Sequence, residues 1–332
     1  VTPRANALAE KLAERIRREG PLLLSEFMEA ALYDPGHGYY SAARRALAEP
    51  TGIAGDYFTA TQVQPVFGRI VCAALGRIRG EMRLPQHCTV ADWGAGRALM
   101  AEHLSEEFRY VAVEAGQAPP APFEGIVFAN ELFDALPVDA VKCSRSGARM
   151  LRVAWSGGAF SFIEAEPPAD EWRDYVERLS RLMQEHGEWI IELPVRLESV
   201  LQAISGSLRR GALVVIDYGY TEREVIRFPR GTLMTYRRHQ ASEDILRDPG
   251  FEDITAHVPF TFLEQRAAEL GWKVEGLENL SSWLLRAGQA DSFASALRAE
   301  SEEEAARLRL QLKTLLFGMG ETFRCLTLRK GA

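Results

Sequence analysis

The sequence predicts an α/β protein built on a doubly wound, mostly parallel sheet. Three observations carry that expectation. Apolar runs over residues 88–93, 110–114 and 211–217 are each closed by an acid (Asp92, Glu114, Asp217), as buried strands of a parallel sheet read. Segments with helical spacing alternate with these runs from residue 65 onward, the pattern of a sheet covered on both faces. The first run also enters a Gly94-Ala95-Gly96 turn. Such a turn lets backbone approach a nucleotide-like ligand at the carboxyl edge of the strands.

The elements follow in order. Residues 3–32 have helical spacing, with Leu8, Leu12 and Ile16 on one face and a restart at Pro21-Leu22 into Phe27, Met28 and Leu32. Residues 33–40 (Y-D-P-G-H-G-Y-Y) form a turn-rich aromatic segment, and residues 55–61 a glycine-led loop. A helix over 65–79 leads to the strand at 88–93, the glycine turn, a helical pattern and the second strand at 110–114. Strands follow at 125–130 and 135–143, then a hairpin over 148–164 around Gly157-Gly158. Residues 168–186 and 196–208 read as helices, 189–193 as extended and 211–217 as the clearest buried strand. A helix at 261–270, a strand at 273–277, a long helix over 290–317 opened by Asp291 and a strand at 323–328 close the chain.

Composition narrows the class. A chain of 332 residues with 47% hydrophobic content can bury a large core, or a core and a subdomain. No apolar run approaches the roughly 20 residues of a membrane span, and the first ten residues lack the apolar stretch of a signal peptide. The expectation is no membrane insertion. Cys72, Cys88, Cys143 and Cys325 are scattered without C-x-x-C spacing, so a reducing cytoplasm is expected and no metal site. A net charge of -7 argues against nucleic-acid binding and is compatible with a basic protein substrate. The sequence leaves room for a homodimer without compelling one.

The glycine turn discriminates between two cofactor classes. A dinucleotide site places G-x-G-x-x-G at a helix start to hold pyrophosphate. Here the third glycine position is Leu99. A methyl-donor site instead needs an acid two residues before the first glycine, to meet the methionine ammonium of S-adenosylmethionine. Asp92 stands there. Glu114, closing the second strand, suits both ribose hydroxyls.

Seven motifs then occur in a fixed order: F-M-E-A-A-L-Y-D-P-G-H-G-Y-Y (27–40), G-D-Y-F-T-A (55–60), A-D-W-G-A-G (91–96), A-N-E-L-F-D-A-L-P-V (129–138), I-D-Y-G-Y (216–220), G-T-L-M-T-Y (231–236) and D-I-T-A-H-V (253–258). Over nearly its whole length the chain resembles the MidA-type methyltransferases. That family includes a mitochondrial complex I assembly factor that methylates an arginine of a complex I subunit. The resemblance implies a class I methyltransferase (Rossmann-like) sheet, a helical N-terminal cap over 1–48 and a methyltransferase domain over 49–332 with an inserted hairpin and helix at about 145–187. It implies S-adenosylmethionine as cofactor, held by Gly55, Asp56, Asp92, Gly94, Ala95, Gly96, Glu114 and Asn130. Gly55-Asp56 would close over the donor, although Asp56 alone also suits a turn cap. His239 and His257 fall at family positions where a structural role is the plainer reading, and Tyr218-Gly219 would line the pocket floor.

For a guanidinium acceptor, carboxylates beside an amide would clamp the group, localise its charge and accept the departing proton. Asn130, Glu131 and Asp134, where the fourth strand of such a sheet ends, are the candidate catalytic residues. Asp134 also suits a cap for the turn before Leu136-Pro137.

Three departures from the family pattern stand out. Ala98 replaces a glycine, and Thr61-Gln62 replaces a Pro-Glu pair. Residues 115–124, with three prolines, are too few to carry both a helix and a strand. The third βα unit is therefore expected to be missing and the adenine side open. Losing roughly 50–100 Å² of apolar burial would cost about 1–2.5 kcal/mol, or one to two decades of donor affinity. Alternatives are a catalytically degenerate assembly module, a methyltransferase acting on a small molecule and, lacking G-x-G-x-x-G, least of all a nicotinamide dehydrogenase.

Overall fold

The computed structural model describes residues 6–41, 65–237 and 240–331. In chain order its elements begin with α1 (Ala7–Glu19), β1 (Leu22–Leu23), α2 (Leu24–Tyr33), α3 (Pro65–Glu81), β2 (Thr89–Trp93), α4 (Ala101–Leu104), β3 (Arg109–Val113) and β4 (Phe123–Asn130). They continue with β5 (Asp139–Ser144), β6 (Gly147–Ser156), β7 (Ala159–Glu164), α5 (Asp170–Met183), β8 (Glu188–Leu193), α6 (Leu197–Ser207) and β9 (Leu208–Tyr220). The rest are β10 (Met234–Arg237), β11 (Gln240–Ser242), β12 (Asp253–Thr255), β13 (Val258–Pro259), α7 (Phe260–Glu269), β14 (Lys273–Asn279), α8 (Leu280–Gly288), α9 (Glu302–Thr314) and β15 (Phe323–Lys330).

Contacts divide the chain into two compact units. One takes in the described residues of Val1–Tyr57 with Asp134–Leu197 and Tyr220–Thr261. The other takes in those of Phe58–Phe133 with Glu198–Gly219 and Phe262–Ala332.

In the first unit the N-terminal helical pattern resolves into two helices. Asn6 caps α1 through its side-chain oxygen, and the helix stops at Gly20, where φ is +91°. β1 pairs with β6 of an antiparallel sheet ordered β1-β6-β5-β8, with β7 on the far side of β6. The apolar faces of α1 and α2 (Leu8, Leu12, Phe27, Met28, Leu32) join Ala140, Leu151, Val153, Ile245 and Ile254 in one core. A small antiparallel sheet, β11-β10-β12, completes this unit.

The second unit holds the parallel sheet, in the order β14-β15-β9-β4-β2-β3. β3, β2, β4 and β9 run parallel, while β15 is antiparallel to both β9 and β14. Alternate residues Val90, Ile126, Phe128, Val214 and Ile216 face a core made with α3 (Phe67, Ile70, Leu75) and α8 (Trp283, Leu284). Asp92 and Asn130 continue that alternation one step beyond the core, which puts both at the carboxyl edge on the same face.

The expected gap after Glu114 is present. Residues 115–122 contain neither strand nor helix, and β4 begins at Phe123. β3 is therefore the last strand of its sheet among the described residues, with Ala112 exposed and Tyr110 and Val111 only partly buried.

Three expectations need correction. The segment 290–317 is not one helix. A short 3-10 turn at 289–291 is followed by left-handed Ser292 and Phe293, and α9 starts only at Glu302, where the Ser301 hydroxyl accepts from the Glu304 N–H. α8, which the sequence pattern did not separate from its surroundings, contributes Trp283 to the core. After the glycine turn α4 is a single turn of four residues. Among the described residues no helix is long and apolar enough to cross a membrane.

Candidate functional site

The glycine turn leaves β2 through two left-handed residues, Gly94 at φ +75° and Gly96 at φ +57°. The Gly94 N–H donates to the Val113 carbonyl at 2.9 Å, which ties the turn to the end of β3. The backbone angle favours glycine at Gly94, and a Cβ there would press on Leu132 Cδ1 at 3.0 Å, which the leucine tip would have to relieve by a small shift. Among the described residues a Cβ on Gly96 would find nothing nearer than 4.0 Å. Ala98 also adopts a left-handed conformation, φ +53°, which explains why glycine suits the position.

Asp92 is 4% exposed, and its Oδ2 accepts from the Tyr110 hydroxyl at 2.6 Å. Burial pushes its carboxyl up to about 6; the Tyr110 hydrogen bond pulls it down and the charge of Glu114 pushes it further up. Glu114 follows β3 and is partly buried, its N–H held by Gln117 Oε1 at 3.0 Å. The two acids expected to hold the donor thus lie on the ends of neighbouring parallel strands.

Asn130 and Glu131 end β4. Asn130 Nδ2 donates to Glu131 Oε1 at 3.0 Å. Glu131 is left-handed at φ +52°, and its N–H donates to the Ile216 carbonyl at 2.9 Å. Asp217, fully buried, accepts from the Phe133 N–H through Oδ2 and from the Tyr218 N–H through Oδ1, both at 2.9 Å. The strained turn after β4 is therefore pinned to β9 by a backbone bond and a carboxylate. Non-glycine residues in this conformation persist where the surroundings over-determine them, and they cluster at functional sites.

Two buried polar atoms at this edge, Trp93 Nε1 and Asn130 Oδ1, have no hydrogen-bond partner among the described residues. Buried groups of this kind are seldom left unpaired. A glycine turn, two carboxylates on adjacent strand ends and two buried polar atoms without partners among the described residues fit S-adenosylmethionine, a cation with an amino acid at one end and a ribose at the other.

The structure brings Asp92, Gly94, Ala95, Gly96, Glu114, Asn130 and Glu131 into the second unit. Asp134 belongs to the first unit. It is 4% exposed, its carbonyl accepts from the Ala256 N–H at 2.9 Å, and its charge is one of those raising Tyr40 and Tyr236, both already raised by burial. His257 packs edge-on against Phe228 at 5.0 Å, and burial lowers its imidazole to about 4, which suits a neutral structural histidine. Tyr218 packs edge-on against Phe323 at 5.3 Å. Gly55, Asp56, Thr61, Gln62 and His239 lie outside the described residues.

Sequence reasoning missed Tyr110, Trp93 and Leu132. Tyr110 stands inside the quoted strand, but only the pairing Val90↔Tyr110 and Asp92↔Ala112 puts it on the Asp92 face.

Comparison with known proteins agrees with this geometry. Residues 79–278 match the family described as "Putative S-adenosyl-L-methionine-dependent methyltransferase". The chain is 23% identical over 335 residues to the mitochondrial protein arginine methyltransferase NDUFAF7 of Xenopus laevis, covering 80% of this chain and 70% of that protein. The Bos taurus protein of the same name is 25% identical over 344 residues, covering 82% and 71%. A Burkholderia thailandensis protein crystallised with S-adenosyl-homocysteine superposes with a TM-score of 0.82 at 26% identity, covering 98% of this chain and 92% of that one. The family match spans more than half of the chain and contains the glycine turn, both acids and the Asn130-Glu131 pair, and on that ground the chain belongs to the MidA-type family of S-adenosylmethionine-dependent methyltransferases.

Proposed function

We propose that the protein methylates an arginine side chain of a protein substrate. The observation that carries this reading is the Asn130–Glu131 pair, bonded to each other at the end of β4 in a turn pinned to β9. The arginine methyltransferase relatives support the acceptor class.

S-adenosylmethionine supplies an electrophilic methyl on a sulfonium, and the methyl passes to nitrogen while the sulfur takes the bonding pair. Asp92 meets the amino-acid end of the donor, the Gly94-Ala95-Gly96 backbone accommodates its close approach, and Glu114 accepts from the ribose hydroxyls. Asn130 offers Oδ1 to donor or acceptor.

An arginine nitrogen is a poor nucleophile because its lone pair is delocalised and its proton is lost only above pH 12. Glu131 holds the guanidinium through charge-assisted hydrogen bonds, keeps its charge away from the attacking nitrogen and accepts the proton released as the N–C bond forms. Most of the rate enhancement asked of these residues is positioning in line with the sulfonium.

The first test is calorimetric titration with S-adenosylhomocysteine against an Asp92→Ala, Glu114→Ala control. Micromolar binding that is lost in the control is expected. Glu131→Gln should then keep that binding and lose transfer of labelled methyl to arginine-bearing proteins. One observation favours a second reading, a binding module without catalysis: residues 115–122 carry no covering unit beside β3. Absence of binding at millimolar ligand would select it.

A further inference from the structure

We infer that Tyr110 is a positioning residue of the donor site, fixing the Asp92 carboxylate through one oxygen so that the other faces the donor's ammonium group. The inference rests on the assignment of Asp92 to the amino-acid end of the donor.

The geometry comes from strand register. β2 and β3 are parallel, with Val90 opposite Tyr110 and Asp92 opposite Ala112. Side chains of like parity share a face. Tyr110 therefore lies on the Asp92 face, one step back along the edge strand, with its ring packed against the core around Val90. From there its hydroxyl reaches Asp92 Oδ2 at 2.6 Å. The length is that of a charge-assisted O–H···O bond. No other hydrogen bond to the Asp92 carboxylate is present among the described residues, although the side chain is almost wholly buried. A carboxylate in that setting has few ways to stay ionised and aimed.

Tyr110 stands on the edge strand of the described sheet. With no third βα unit after Glu114, the described part of the sheet ends at β3. The long phenol occupies the face there and orients the acid from inside the sheet.

Among the described residues, the charged and titratable groups acting on Asp92 are Tyr110 and Glu114, both from the β3 side. Burial raises Asp92 to about 6, the Tyr110 hydroxyl works against that rise and Glu114 adds to it. An ammonium ligand binds the ionised acid, so donor affinity falls as pH drops through this range. Removing the hydroxyl moves the midpoint upward.

The experiment is calorimetric titration of the full chain with S-adenosylhomocysteine from about pH 5.5 to 8.5, for wild type, Tyr110→Phe and Asp92→Asn. Tyr110→Phe keeps the ring and its packing, and circular dichroism checks its fold. It should bind about tenfold more weakly near pH 7, with the acid limb of its profile shifted to higher pH and affinity largely restored at pH 8.5. A packing role would lower affinity equally at every pH. An unshifted profile in Tyr110→Phe, with Asp92→Asn weak and flat, overturns the role of Tyr110 alone. Wild-type binding by Asp92→Asn overturns the assignment of Asp92 and the inference with it.

Discussion

At Ala98 a methyl group stands where φ is +53°, a conformation that costs an L-residue about 1–2 kcal/mol. Ala98→Gly releases that strain and gives back part of it as chain entropy. A net gain of about 0.5–1 kcal/mol is expected, read as a rise of about 1 °C in Tm, with donor affinity no lower than wild type. Asp217 behaves oppositely. Its carboxylate satisfies the N–H groups of Phe133 and Tyr218 in a fully buried position. Asp217→Ala leaves both donors unpaired and should cost about 2–4 kcal/mol by chemical denaturation. The sequence identified Asp217 as a strand-ending acid. That its oxygens hold the turn after β4 follows only from the pairing of β4 with β9.

The elements that matter most are β3 and the residues that follow it. The sequence established the gap by arithmetic, because residues between Glu114 and β4 are too few for a crossover helix and a strand. The structure adds that Ala112 is exposed while β2 and β4 are buried along most of their length. Backbone hydrogen bonds near solvent open at lower free energy than those of a central strand. Hydrogen exchange should therefore be faster at 109–113 than at 89–93 or 125–129, and S-adenosylhomocysteine should slow it around 109–117. Unchanged exchange there with saturating ligand would argue against Glu114 as a donor contact. Misreading 290–317 has a local cause. Apolar residues recur through that stretch, but Ser292 and Phe293 turn left-handed and the real cap is Ser301, three residues before a glutamate. A capping residue followed by three acids is itself a helix-start signal, and it outweighs the one at Asp291.

For the whole molecule, charge bears on the acceptor. A chain of net charge -7 attracts a basic protein segment over distances that salt shortens. Initial rates of methyl transfer to an arginine-rich protein should fall as salt rises from about 0.02 to 0.3 M, while S-adenosylhomocysteine affinity changes little. Equal salt sensitivity of the two would place the effect at the donor site. The sequence by itself determined the α/β sheet, the glycine turn after Asp92, the acid Glu114 that follows the neighbouring strand and the missing third unit. Each is written locally, in hydrophobic period, in glycine spacing and in the number of residues available. Only the tertiary structure decided that the Tyr110 hydroxyl bonds Asp92, that Asp217 and the Ile216 carbonyl brace the turn after β4, and that Trp93 Nε1 and Asn130 Oδ1 are buried without partners among the described residues. It also decided that the N-terminal helices share one core with residues far along the chain, such as Val153 and Ile254. These facts depend on which strands lie side by side and in what register, and register is fixed by packing across the sheet, which no single segment encodes.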